Sequence, residues 1–277
     1  MKELPELHSL WVGPRLSWLE QLCVASWLKH GHRAVLWTYQ PVADVPAGVE
    51  VRDGRELLPE AAITYHRFSG SVSLFSNRFR YHLLQRFPVT WIDMDVFLLR
   101  PLAAASPHLF GWEAPESICS AVLRLPGGSP ALRDLIALTG ARVPVPHWWP
   151  LKDRIRQRLR GLAGAHEAAE DMRWGTFGPR ALTETLRRHK LTGLALPRDT
   201  FYPLNWEETA LLFEPPHMVE AQLSAGTVAV HLWSSGGFTA TEEMKAKRHA
   251  PVPLASWIGR QCEAYGIDRG QGLAHAT

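Results

Sequence analysis

Apolar positions come in blocks along the first hundred residues, and the blocks change period as the chain proceeds. "LHSLWVG" (7–13) is a short apolar run ended by Gly-Pro and predicts a buried strand. "LSWLEQLCVASWLKHGH" then switches to helical spacing, with Leu19, Leu22, Cys23, Ser26 and Trp27 on one face and Gly31 as its stop. "RAVLWTY" (33–39) returns to strand character, so the chain opens as strand, helix, strand, the start of a parallel α/β sheet. After a Pro/Gly-rich stretch at 41–54, "SVSLFSNRFRYHLLQRF" (71–87) places Val72, Phe75, Phe79 and Leu83 on one helical face, and Pro88 ends it. "VTWIDMDVFLL" follows at once as the next strand. "HLFGWE" (108–113) and "ICSAVLRLP" (118–126) read as further strands, and "SPALRDLIALTG" as a helix with Ser129 at its N-cap and Pro130 at its first position.

Beyond residue 140 the pattern is less regular. "ARVPVPHWWP" (141–150) is punctuated by proline, and "LKDRIRQRLRGLAG" (151–164) is a basic helix. "WGTFGPRALTETLRRHK" (174–190) is a loop entering another helix, and "TVAVHLWSSGGF" (227–238) a strand running into a Gly/Ser turn. The simplest partition is one α/β domain over 1–235 with a basic helical insert at 141–170, then a loop, helix and tail over 236–277. Composition adds little: 46% hydrophobic and 21% charged residues describe a globular chain, and a formal charge of +3 is far from a nucleic-acid footprint. Cys23, Cys119 and Cys262 have no metal or disulfide spacing, which suits a reducing compartment. With no signal-type apolar segment in "MKELPELHSLWVGP" and no bilayer-length run, the expected location is cytoplasmic.

The chemistry concentrates in "WIDMDVF". Asp93 and Asp95 stand inside an apolar run, where an ionised carboxylate is costly unless something compensates it. Residues two apart on a strand share a face, so both carboxylates are expected to point the same way where the strand leaves the sheet. Hard oxygen donors there suit Mg²⁺ or Mn²⁺ held partly through substrate phosphates. Two enzyme types use such a pair. A haloacid dehalogenase-type phosphatase uses the first Asp as nucleophile and needs a further acidic pair downstream, for which Glu170-Asp171 is the candidate. A GT-A nucleotide-sugar glycosyltransferase uses the pair to hold a cation against the donor diphosphate. A third alternative is a catalytically silent sugar- or partner-binding protein. Carboxylates about 7 Å apart and pointing the same way fit a metal better than a retaining glycosidase.

The order of motifs is specific where each alone is not. "HSLWVGPRLSWLEQLCVASWLKHGHRAVLWTY", "SNRFRYHLLQRFPVTWIDMDVFLLRPL", "FGWE", "FGPRALTE", "FYP" and "VAVHLWSS" together resemble glycosyltransferase family 32 over residues 8–235. That resemblance implies a GT-A fold and a metal-dependent hexosyltransferase that retains anomeric configuration. It would use a nucleotide sugar, a UDP-sugar first, on a glycan, lipid-linked or other acceptor, in bacterial-type polysaccharide biosynthesis. It implies that Trp11, Val12 and Gly13 line the nucleotide pocket and that Ser76, Asn77 and Arg80 face the donor. Asp93 would meet ribose or metal, Asp95 would ligate the metal, and His231 would be a third ligand or a diphosphate contact. Glu113 would meet donor-sugar hydroxyls, and Trp233 and Ser234 would follow the diphosphate. The chain departs from the family at Asn77, where Asp is usual, and at Cys119-Ser120, where Asn-Asn or Asn-Ala is usual.

The insert offers a different surface. Leu151, Ile155, Leu159 and Leu162 form one stripe, with Lys152, Arg154, Arg156, Arg158 and Arg160 on the other faces and Trp148 and Trp149 at the edge. Such a helix lies either on the body of the domain or, through 148–162, peripherally on the inner face of an anionic membrane.

Overall fold

The structure, a computed structural model, describes residues 4–103, 106–173, 175–234, 244 and 251–268. Its main sheet has six strands in the order β3-β2-β1-β4-β7-β6. These are β1 (Leu7–Trp11), β2 (Ala34–Thr38), β3 (Glu50–Asp53), β4 (Thr90–Ile92), β6 (Leu109–Ala114) and β7 (Ser117–Arg124). The first four run parallel, and β7 and β6 form an antiparallel hairpin against β4. This is the expected α/β architecture with a mostly parallel sheet.

Period-two alternation sends the largely apolar central strands into two cores. Leu7, Trp11, Ala34 and Leu36 enter one core, while Leu10, Val35 and Trp37 enter the other. Helices α2 (Ser73–Arg86), α3 (Pro130–Thr139) and α5 (Ala181–Arg188) cover the second face. On the first face lie α1 (Trp18–Lys29), α7 (Trp257–Ala264) and a second, two-stranded sheet of β5 (Val96–Leu98) and β8 (Ala229–His231). The short α6 (Pro216–Glu220) packs beside α7, and α4 (Leu151–Leu162) is the helix of the insert.

Two features differ from the sequence reading. β3 falls in the stretch taken as Pro/Gly-rich loop; its "EVRD" residues are largely exposed on the sheet edge and carry no apolar period to find. The run 89–99 is two strands, β4 in the main sheet and β5 in the small one, broken at the acidic pair. The Gly/Ser turn expected to follow β8 lies, from residue 235 onward, outside the described residues.

α1 fixes where β5 goes. Ser17 and Glu20 close a capping box at its start. Near its end Trp27 Nε1 donates to Val96 O at 2.8 Å, and Leu98 N donates to Ser26 Oγ at 2.9 Å. Trp27 is fully buried, so replacing it strands a carbonyl one residue after Asp95. Trp27→Phe should cost about 1–2 kcal/mol in urea unfolding.

Candidate functional site

β1 and β4 are parallel neighbours, and the chain beyond Ile92 emerges at their carboxyl ends beside Trp11–Gly13. There it turns. Asp93 N donates to Ala121 O at 2.8 Å and Val96 N to Asp93 O at 3.1 Å, which carries the backbone from one sheet into the other. Asp93 and Asp95 therefore occupy a turn between two strands, not a single strand whose alternation aligns them. Their convergence comes from this turn and from β8, which pairs with β5 in a register that sets His231 opposite Val96.

Asp95 is buried, and both its oxygens are met by the end of β8 and the residues just after it. Oδ1 meets His231 Nε2 at 3.1 Å. Oδ2 accepts from Ser234 N at 2.9 Å and from Ser234 Oγ at 2.8 Å. Trp233 makes that aim possible: its φ of 54° is left-handed, a costly conformation for a bulky residue. The turn is pinned by Trp233 Nε1 on Leu204 O at 2.9 Å and by the indole lying 4.1 Å from the His231 ring. Burial acts to raise Asp95, but His231 and the Ser234 donors outweigh it and hold the carboxyl at about 2. Burial acts to lower His231, and the facing Asp95 outweighs it, so the imidazole is raised. The pair's stability from His231 is full below 6.5 and fades as pH rises through the raised value. That from Asp95 is full above 3.8 and is lost as pH falls toward about 2.

Asp93 is held from the other side. Arg80 Nη2 donates to its Oδ1 at 2.9 Å and Trp91 Nε1 to the same oxygen at 2.6 Å. Arg80 is itself buried, with Nη1 on Ser120 O at 2.7 Å, Nη2 on Ser76 Oγ at 3.3 Å and its guanidinium 4.7 Å from the Trp91 ring centroid. Burial raises Asp93, Arg80 draws it down, and the charge of Asp95 raises it again, for a net upward shift. Among the described residues no hydrogen bond reaches Asp93 Oδ2, and His231 Nδ1 is buried without a partner. One donor atom from each of Asp93, Asp95 and His231 can be chosen so that all lie within 4.8 Å of one another. Two carboxylates and an imidazole are a donor set that could hold a divalent cation. Glu170 and Asp171 do not join this group; Asp171 Oδ1 pairs with Arg67 at 2.8 Å.

The remaining candidates divide. Trp11 is buried in the first core, its Nε1 unbonded and close to Gly13, where a Cβ would come within 3.1 Å; Val12 is half-buried. Asn77 lines a small cleft, open to solvent, with His66, Arg173, Thr176 and Phe177. Glu113 accepts from Ser117 Oγ at 2.5 Å and so closes the β6–β7 turn. Sequence reasoning missed Trp91, Ser120 O and Tyr202, whose ring stands edge-on to His231 at 5.7 Å. Trp91 was findable, since it lies two before Asp93 at the end of the same apolar run.

Removing Arg80 leaves Asp93 without its counter-ion and the Ser120 carbonyl without a donor. Arg80→Met should cost on the order of 3 kcal/mol in chemical unfolding. Arg80→Lys should recover only part, because an ammonium cannot reproduce the fork.

Residues 170–264 match a protein family described as the alpha 1,4-glycosyltransferase conserved region. The match takes in His231, Trp233 and Ser234 and lies downstream of Asp93 and Asp95. No curated protein matches the chain. With the motif order, the α/β sheet and the acidic turn at its carboxyl edge, this match over about a third of the chain supports its assignment as a glycosyltransferase similar to family 32.

Proposed function

We propose that this protein moves a hexose from a nucleotide sugar, a UDP-sugar first, to a hydroxyl of a glycan or lipid-linked acceptor, forming an α-linkage. The observation that carries the reading is the meeting of Asp93, Asp95 and His231 at the carboxyl edge of a parallel sheet, a place where α/β folds bind ligands. Mn²⁺ or Mg²⁺ held there would neutralise charge on the departing nucleoside diphosphate. Asp95 is ionised at neutral pH and can bind a cation; His231, raised by the facing Asp95, would ligate only in its neutral form. Arg80 acts by positioning Asp93, since both of its Nη atoms are engaged within the protein. Asn77, one helical turn from Arg80, lines the small cleft and would meet the donor sugar. An amide there supplies both a donor and an acceptor where a carboxylate only accepts.

The family name supports an α-linked product, and a same-face displacement accounts for the lack of a dedicated nucleophile. The phosphatase alternative loses its downstream acids, because Asp171 is bound to Arg67 and away from the pair.

Calorimetry with UDP, GDP and their sugars, with and without Mn²⁺, tests the reading. One nucleotide should bind only with Mn²⁺, and Asp95→Asn should weaken that binding by roughly a hundredfold or more. Absence of nucleotide binding under every metal would overturn it. Because only the neutral imidazole ligates, Mn²⁺ affinity should climb as pH rises toward the raised value of His231, by up to about tenfold per unit. His231→Gln should bind more weakly and flatten that dependence.

A further inference from the structure

α4 is mounted with its polar edge inward. Gln157 is buried; its Nε2 donates to Glu167 O at 2.8 Å and Pro144 O at 3.3 Å, and its Oε1 accepts from Glu167 N at 3.2 Å. One turn on, Gly161 lies against Val143, where a Cβ would come within 2.9 Å. At about 100° per residue, Leu151, Ile155, Leu159 and Leu162 fall in an arc of about 80° on the opposite side. They are 65%, 46%, 60% and 88% exposed. Lys152, Arg156 and Arg160 flank the arc on one side, Arg154 and Arg158 on the other. Asp153 is the helix's one acid and pairs with Arg156 at 2.9 Å, so five basic residues and one acidic leave a charge of +4. Trp148 and Trp149, read from sequence as the edge of this surface, instead pack inward against the second and third apolar clusters and fasten the insert to the body.

A surface helix of a globular domain normally buries its leucines and exposes its polar side. Here built contacts do the reverse. Apolar residues between two basic margins match a bilayer interface: leucines reach the acyl boundary, and Lys and Arg stems run beside them to carry their charges to the phosphates. A second copy of α4 fits poorly, since apposing the two faces would set +4 against +4. We infer that α4 docks this protein in the plane of an anionic phospholipid surface. The docked segment leads directly toward the cleft: Glu167 is bonded to Gln157, and Ala169 and Met172 line the cleft with Asn77.

The test is flotation of the full chain with phosphatidylcholine vesicles and with vesicles containing phosphatidylglycerol. The protein should float with the anionic vesicles alone and detach as salt is raised. Leu159→Glu/Leu162→Glu and Arg156→Glu/Arg160→Glu should each lower partition by about tenfold or more. Leu162→Ser, at the most exposed position, is the milder variant should either double substitution fail to fold, and it should weaken partition severalfold. Equal partition to both vesicle types, none to either, or folded variants that float like the wild type would overturn the inference. So would a concentration-dependent dimer abolished by the leucine substitutions without any vesicle binding.

Discussion

A carboxylate with almost no water around it must be met by donors from the protein, and Asp95 is met from one direction only. Among the described residues, all of its side-chain partners come from the four residues His231 to Ser234. That requirement ties β5 to β8 more firmly than three residue pairs of sheet would. A strained backbone goes with it: Trp233 is left-handed, and the amide and hydroxyl of the next residue, Ser234, both point at one oxygen. The small sheet, the pinned indole and the buried imidazole are all arranged around that one charge.

Asp93 is treated differently, and the contrast makes the site chemically useful. Its donors, Arg80 and Trp91, converge on a single oxygen from the main-sheet side, with the other oxygen outside that network. One acid is locked and strongly acidic; its neighbour is half-open and less so. A pair so divided can keep its shape while one member changes partners. The two acids also belong to opposite layers, since Arg80 and Asn77 stand on α2 over the second core while His231 closes the first.

The fold was legible wherever burial imposes a period. Trp37 and Leu36, or Leu10 and Trp11, alternate between two cores, and that alternation is visible in the chain. β3 was invisible because an exposed edge strand needs no apolar face. The acidic pair and His231 stood out because charge in an apolar run has to be explained. The break between β4 and β5 did not, since "WIDMDVF" reads as one strand until it is known that its halves pair with different partners. Arg80 was singled out, but its direction was not: facing ligand and facing Asp93 look alike from spacing alone. The α4 stripe showed the same limit, because periodicity locates a face without saying what it meets.

The contacts that close the site span the chain, with Asp95 136 positions from His231 and 139 from Ser234. During synthesis Asp95 therefore exists long before its partners do. Until Ser234 has emerged, β5 lacks its neighbour and the acidic turn has nothing to fix it. Contacts this distant are the slow ones to form in a folding chain. A nascent or C-terminally truncated protein would carry the complete acidic motif and still have no assembled site, so competence arrives last, with the strand that ends in His231.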